Sequence, residues 1–575
     1  MWCSVMETAF VSSGALLPGQ HSSTTSLHFC SSQHVSISSV HRRSRLSMKA
    51  SKKSNKSSSK QSSTTTTTEP KTPLAVPEDK RKAVPAPLQY QPKASSLFEL
   101  VATRTVDTFE DVRLHLTRKY FPDQSLKTAT KPRVVVLGVG WAGHAFVKTI
   151  DTEKYDVVVI SPRNYFLFTP MLASSAVGTV EFRSICESIR ASNEYIDYIE
   201  AECDDIDTEH RTIRCKTPNG NVFDMDYSYL IVSVGASINT FGTPGVKEYC
   251  HFLKDVDDAR TLRRSILNKF EEANIPGLSE EERARLLTFV IVGGGPTGCE
   301  FSAELSDFLR QDVKKHYPKL FSEVSVKLLN SGASILGQFD SALQESALSS
   351  LKKGKIDVVL NARVTNVTDK TITLKNGDEI PYGLAVWAAG NGVQPLVERI
   401  IERTPEQADA KGRVFVDKWL RLRGGSSEFA LGDCAVNPES PLPATGQVAA
   451  QQASYIARLL NRNVCLACEI PVHLPSGMSN DVSPEELVVI GEKQKLKFAK
   501  PFEFLSLGIM AYVGQNRAVA DVDAGDIQVG KLSGRLAFLL WRSVYLTKQV
   551  STRNRVLVLF DWIKTQVFGR DTSLF

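Results

Sequence analysis

A chain of 575 residues is too long for one hydrophobic core, so two or more domains are expected. Its formal charge of +6 is unevenly placed: residues 1–68 carry eight basic residues (Arg42, Arg43, Arg45, Lys49, Lys52, Lys53, Lys56 and Lys60) against Glu7, so the remainder is −1. The basic excess belongs to the leader and is no signal for nucleic acid, and no run of about 20 apolar residues offers a membrane span.

In chain order, residues 1–68 are rich in Ser and Thr and nearly free of acids, the composition of an organellar transit segment. No basic residue precedes Arg42, and the Arg-rich amphipathic start of a mitochondrial presequence is missing, so composition leans toward a plastid. Residues 69–130 read as a linker or extension, within which Leu97 to Tyr120 has the pattern of a helix. The folded body is expected from residue 131.

Val134-Val135-Val136-Leu137-Gly138-Val139-Gly140-Trp141-Ala142-Gly143 reads as a buried strand, a glycine turn and a helix start. Gly138 permits the turn, Gly140 lets the backbone approach a pyrophosphate, and Gly143 lets the helix pack close to the strand. Thr288-Phe289-Val290-Ile291-Val292-Gly293-Gly294-Gly295-Pro296-Thr297-Gly298 repeats the design, with Gly293, Gly295 and Gly298 in the same three roles. Two dinucleotide folds in one chain imply two dinucleotides and electron transfer between them.

After the first loop, Tyr155 to Ile160 is the next parallel strand; Ser161-Pro162-Arg163-Asn164 stands where an acid usually binds ribose. After the second, Val324 to Leu329 is the matching strand and Asn330 sits at the ribose position. The extra length around Asp307–Phe321 is expected to go into a longer helix and loop. A carboxylate at position 330 would repel a 2′-phosphate on the bound dinucleotide, whereas a neutral amide would not, so the 2′-phosphorylated form is expected to be accepted along with the unphosphorylated one. Glu300 is read in the first turn of the second glycine-loop helix, where the helix dipole alone would favour an acid. Gln447 and Gln451 are spaced i,i+4 on one helix face. Leu532 to Phe560 interrupts apolar patches with Arg535, Arg542, Lys548, Arg553 and Arg555, a pattern suited to helices lying in a membrane interface or to a dimer interface. The ten cysteines lack framework spacing, and the single CxxC, Cys465 to Cys468, reads as incidental; no metal site is expected.

Ser161-Pro-Arg-Asn-Tyr-Phe-Leu-Phe-Thr-Pro170 followed by Val177-Gly-Thr-Val-Glu181 resembles the type II NADH dehydrogenases, single-subunit alternative NAD(P)H:quinone oxidoreductases. Tyr229 to Ala236, Asn239 to Val246, Phe429-Ala-Leu-Gly-Asp-Cys434, Trp541 to Thr547, Ser551 to Arg555 and Phe568 to Asp571 resemble the same family, over residues 131–575. The resemblance implies an α/β protein with two Rossmann-like domains in the glutathione-reductase-like arrangement, plus a C-terminal amphipathic helical membrane-anchoring segment. It divides the body into an FAD-binding domain (131–250 and 391–500), an NAD(P)H-binding domain (251–390) and a membrane or dimerisation segment (501–575). It implies FAD on Gly138, Gly140, Gly143, Ser161, Arg163 and Asp433, and NADH or NADPH on Gly293, Gly295, Gly298 and Asn330, with Gly390 in the segment returning to FAD. Asn391-Gly392-Val393 departs from the family pattern.

Glu300 is implied as a proton relay near flavin and quinone, and Gln447 and Gln451 as amide donors to a quinone carbonyl. The partners implied are ubiquinone or plastoquinone, a membrane surface and a second copy of the chain. The place is the mitochondrial inner membrane by family, or the thylakoid by leader composition. A disulfide reductase is disfavoured because no cysteine lies between Arg133 and Ile185, and no calcium-binding loop is present. The alternative is a soluble FAD-dependent reductase of diaphorase or ferredoxin-reductase type, and a flavin-folded protein without turnover is disfavoured by two intact glycine loops.

Overall fold

The computed structural model describes residues 95–120, 131–462, 499–524 and 527–573. The leader and the Cys465/Cys468 pair lie outside the described residues.

Two parallel sheets carry the glycine loops. The first has the order Glu428–Ala430, Tyr229–Val232, Arg133–Leu137, Asp156–Ser161, Asp197–Glu200, all parallel. The second has the order Ile356–Val359, Ser325–Leu329, Thr288–Val292, Leu384–Trp387, also parallel. In each, the strand leading into the glycines lies inside the sheet, and its apolar residues are buried on both faces: Val134, Val135 and Val136 are fully buried, as are Phe289, Val290 and Ile291. Burial of each such side chain contributes roughly 1.5–3 kcal/mol, which is why near-continuous Val/Ile runs specify these strands.

The repeat extends beyond the glycines. A three-stranded antiparallel meander follows each half: Glu202–Asp207, Thr212–Lys216 and Val222–Asp226 in the first, Val364–Val367, Thr371–Leu374 and Glu379–Pro381 in the second. The two halves are stitched by a short antiparallel pair, Ser237–Ile238 with Asn391–Gly392. Asn391, where the motif departs from the family pattern, makes this crossover and accepts a hydrogen bond from Lys254 Nζ at 3.2 Å.

The extra length after the second loop goes where it was expected. The Pro296–Phe308 helix runs on through a π-helical turn, Leu309–Val313, into Lys314–His316. Leu97–Tyr120 is a single helix. The C-terminal part holds more than the expected interfacial helices. A three-stranded antiparallel sheet, Ile509–Tyr512, Ala518–Ala524 and Ile527–Gly534, precedes the helices Arg535–Thr547 and Thr552–Phe568. Among the described residues no helix is long and apolar enough to cross a membrane. These two helices do expose Leu536, Leu539, Val556, Leu559, Phe560, Ile563, Val567 and Phe568. Arg542 joins them by stacking its guanidinium 4.4 Å from the Trp562 ring centroid.

Candidate active site

Both glycine loops have the same backbone logic. Gly138 has φ +97°, and a Cβ there would lie 2.6 Å from Ser233 O; one on Gly143 would lie 1.9 Å from Gly138 O. In the second loop Gly293 has φ +120°, and a Cβ would lie 2.7 Å from Ala388 O; one on Gly298 would lie 1.9 Å from Gly293 O. The first and third glycines are therefore demanded by the protein's own packing. The middle ones differ: a Cβ on Gly140 or Gly295 would meet nothing within 4 Å. Each precedes a helix with no side-chain cap, Trp141–Thr149 or Pro296–Phe308, so free N–H groups and the positive end of the dipole face outward. That open space beside uncapped amides is what a pyrophosphate requires.

A cavity of about 1010 Å³ opens on the first loop. Gly138, Gly140, Ser161, Arg163 and Asp433 line it, bringing together residues from three separate stretches of chain. Ser161 ends the second strand, and its Oγ accepts from Arg163 N at 3.3 Å. Arg163 is engaged in a way the sequence did not reveal: its Nη1 donates to Asp255 Oδ2 at 2.8 Å. Asp255 in turn caps the Val256–Ala273 helix, so this arginine ties the cavity wall to a following helix as well as facing the cavity. Asp433 lies in the one-turn helix Gly432–Cys434, after the strand Glu428–Ala430. Gln452 holds that turn, its Oε1 accepting from Gly432 N at 2.8 Å. Lys254 and Arg413 are close enough to interact with the Asp433 charge, and Lys254 lines the cavity. Neither Gln452 nor Lys254 carries a local signal that sequence reasoning could have used; both act through residues distant in the chain. The donor set and the open Gly140 fit FAD.

The second loop meets the same cavity, because Pro296, Thr297 and Glu300 also line it. Asn330 directly follows the strand Ser325–Leu329, as read from sequence, and faces this loop. Its Oδ1 accepts from Gly294 N at 3.2 Å, and its Nδ2 donates to Ser334 O at 2.7 Å and Gly332 O at 3.3 Å. Gly390, with φ +76°, follows the strand Leu384–Trp387, and a Cβ would press the Phe241 ring at 2.5 Å.

Glu300 is not in the first turn of its helix, which begins at Pro296 and has no acid there. The dipole account of this residue therefore fails. Glu300 as a whole is 9% exposed, and its Oε1 accepts from Tyr512 N at 3.1 Å. Burial, reinforced by the Glu304 charge, pushes it up to about 8, against the opposing pull of the Tyr512 amide and the Trp541 indole. That indole N–H is buried near the carboxyl without a hydrogen bond of good geometry, so its pull is weak. Glu304, one turn on, is fastened by Ser174 Oγ at 2.6 Å and Thr179 Oγ1 at 2.9 Å, with Arg570 Nη2 at 3.7 Å. It holds elements together. Asp307 continues the row, accepting from Tyr512 Oη at 2.5 Å.

Gln447 and Gln451 share one face of the Gly446–Asn461 helix but do not line the cavity. Gln451 Nε2 donates to Leu505 O at 2.9 Å and its Oε1 accepts from Leu505 N at 3.1 Å. Gln447 Oε1 accepts from Leu507 N at 3.1 Å. Both amides grip main chain; of their four polar atoms, Gln447 Nε2 is the one with no hydrogen bond to the described residues.

Residues 132–453 match the family model for pyridine nucleotide-disulphide oxidoreductases, and residues 507–571 match the NDH2 C-terminal domain. A probable NADH dehydrogenase of Dictyostelium discoideum is 40% identical over 78% of this chain and 92% of its own length. The mitochondrial external alternative NAD(P)H-ubiquinone oxidoreductase B1 of Solanum tuberosum is 37% identical over 79% of this chain and 92% of its own. The structure of NDH2 from Plasmodium falciparum in complex with NADH aligns with a TM-score of 0.68 at 27% identity, covering 77% of this chain and all of that one.

Proposed function

The chain belongs to the pyridine nucleotide-disulphide oxidoreductases, as a type II NADH dehydrogenase, and from that premise we propose that it is a NAD(P)H:quinone oxidoreductase. FAD held there would supply the redox chemistry, two-electron transfer from NAD(P)H to a quinone. The observation that carries the reading is one cavity lined both by the first glycine loop with Asp433 and by Glu300 from the second glycine-loop helix.

In this reading Gly140, Ser161, Arg163 and Asp433 hold FAD, and Gly295 with Asn330 holds the nicotinamide nucleotide. Residues 131–250 and 391–500 form the FAD domain, and 251–390 the NAD(P)H domain. The neutral Asn330 amide accepts a 2′-phosphate, so NADPH serves as well as NADH. Glu300, held mostly protonated at neutral pH by its burial, stores a proton at the cavity wall for the quinone, whose reduction consumes two. Gln451 and Gln447 shape the acceptor side by fixing Leu505 and Leu507, with Gln447 Nε2 left to donate to a quinone carbonyl.

The exposed apolar face of the two C-terminal helices rests on a lipid surface, where a quinone is dissolved. The leader delivers the enzyme to an organelle, as the mitochondrial relatives suggest. Pairing of two copies through residues 501–575 is compatible with the same surface. With NAD(P)H oxidised and quinone reduced to quinol on one face of the membrane, the reaction is non-electrogenic. Anaerobic stopped-flow tests the reading: NAD(P)H must bleach the flavin and a ubiquinone or plastoquinone analogue must restore it. Failure of the quinone to restore it would leave the alternative, a soluble diaphorase.

A further inference from the structure

The Leu97–Tyr120 helix lies upstream of the family-matched residues, yet it is bolted to the framework of the acceptor side. Its acids Asp107, Glu110 and Asp111 fall on one face and meet Arg458 and Arg462, the first in the last turn and the second at the C-cap of the helix that carries Gln447 and Gln451. Asp107 bridges both arginines, at 3.3 Å to Arg458 and 2.6 Å to Arg462. Asp111 pairs with Arg458 at 2.6 Å and Glu110 with Arg462 at 2.5 Å. The Asp107 and Arg458 side chains are only 8% and 12% exposed, so water and salt screen that pair weakly, while Arg462 and Glu110 form the more exposed edge of the lattice.

At its other end the helix grips Glu503. Ser95 N donates to Glu503 Oε1 at 2.9 Å, and Arg104 Nη2 donates to Glu503 O at 2.8 Å. Glu503 begins a segment held at regular intervals: Gln451 takes both polar groups of Leu505, Gln447 takes the Leu507 amide, and Glu300 takes the Tyr512 amide. The N-terminal helix, the two glutamines and the buried carboxyl thus attach in order to one ten-residue stretch. The grips at 503, 505 and 507 fix the course of this segment, which precedes the Ile509–Tyr512 strand and belongs to no sheet of its own.

We propose that the N-terminal helix is a positioning element of the quinone site: Arg104 and the Asp107/Glu110/Asp111 lattice hold Glu503, and through it the Leu505–Leu507 main chain against Gln451 and Gln447. The proposal rests on the reading above that this segment borders the acceptor. None of these helix residues touches quinone or flavin.

The test uses the full chain carrying D107N/D111N, which removes the charges at constant size. The quinone KM should rise roughly tenfold, as expected for displaced positioning groups, while flavin bleaching by NADH and turnover with ferricyanide, a small soluble acceptor, stay unchanged. Equal loss with quinone and ferricyanide, or no change in either, would overturn it. Amide hydrogen exchange supplies a readout independent of quinone chemistry: Leu505 and Leu507 should exchange faster in the variant, while residues 300–308 stay slow. Unchanged exchange at Leu505 and Leu507 sinks the proposal even if the wild type proves inactive with quinone, an outcome that would separately sink the functional reading. Should D107N/D111N fail to fold, Arg104→Met, which deletes the donor to Glu503 O together with the guanidinium charge beside Asp107 and Arg458, is held to the same two readouts.

Discussion

The main-chain N–H of Tyr512 donates to Glu300 Oε1 at 3.1 Å, joining residues 212 positions apart. The C-terminal sheet thereby roofs a carboxyl that also lines the dinucleotide cavity. Glu300→Gln keeps the acceptor for Tyr512 and removes the titrating proton. We expect quinone-dependent turnover to fall about 10²-fold, the usual contribution of a positioned acid, with flavin bleaching by NADH within about threefold. Loss of the pH-rate limb near 8 in the variant would tie the effect to this group; an unaltered profile would remove Glu300 from proton delivery.

The same residue predicts a stability trend. Its folded-state value lies above that of an unfolded Glu, so the native state binds the extra proton between about pH 4.5 and 8. Stability contributed by the neutral form is full below that window and falls as pH rises through it, by up to roughly 5 kcal/mol at ~1.36 kcal/mol per pH unit. Thermal melts of wild type and Glu300→Gln should converge near pH 5 and separate toward pH 8.5, the variant being the more stable. Parallel curves would contradict the buried, proton-retaining carboxyl.

The glycines separate folding from binding. Gly140→Ala meets no protein atom, so unfolding free energy should stay within about 0.5 kcal/mol while FAD retention, read by flavin fluorescence after gel filtration, collapses. Gly295→Ala should keep FAD but raise the KM for NADH. Gly143→Ala, with its Cβ 1.9 Å from Gly138 O, should cost more than about 2 kcal/mol in the apoprotein. Full FAD retention by Gly140→Ala would move the cofactor away from this loop.

Asn330→Asp keeps the acceptor for Gly294 N and adds a charge, at the expense of two donor bonds. Like charges about 4 Å apart repel by ~1 kcal/mol in water and ~4 kcal/mol near protein. The ratio of kcat/KM for NADPH to that for NADH should therefore drop at least about tenfold. A ratio that does not move would place the 2′-phosphate elsewhere.

The exposed C-terminal side chains predict vesicle binding. Leu539 and Phe560 are 61% and 70% exposed, and each buried in lipid would contribute roughly 1.5–3 kcal/mol. Leu539→Glu with Phe560→Glu should reduce co-sedimentation with anionic vesicles by at least about tenfold, with ferricyanide turnover intact. Undiminished binding would assign this face to a second copy of the chain, which ultracentrifugation reads directly.

Local rules explain why so much of the dinucleotide framework was legible. A positive-φ turn admits glycine almost alone, and a doubly buried strand reads as an unbroken apolar run, so Gly138, Gly293 and the two strands before them are written within ten residues each. The Leu97–Tyr120 helix follows from its own pattern in the same way. Misreadings occurred where meaning depends on distant partners. Glu300 resembled a dipole-stabilised acid until the helix start at Pro296 placed it beyond the first turn and the Tyr512 strand buried it. Gln447 and Gln451 shared a face as spacing required, yet what that face meets is the Leu505–Leu507 main chain. Arg163 was expected at the cofactor and is also bound to Asp255, 92 residues on.

Sequence alone determined the two dinucleotide folds, their order and the family, because steric and periodic constraints act between near neighbours. Tertiary structure decided which carboxyl is buried enough to keep its proton, which amides are committed to backbone, and how an N-terminal helix reaches the Glu503–Leu507 segment. Those properties are set by desolvation and by contacts between segments hundreds of residues apart, and no spacing within the chain encodes them.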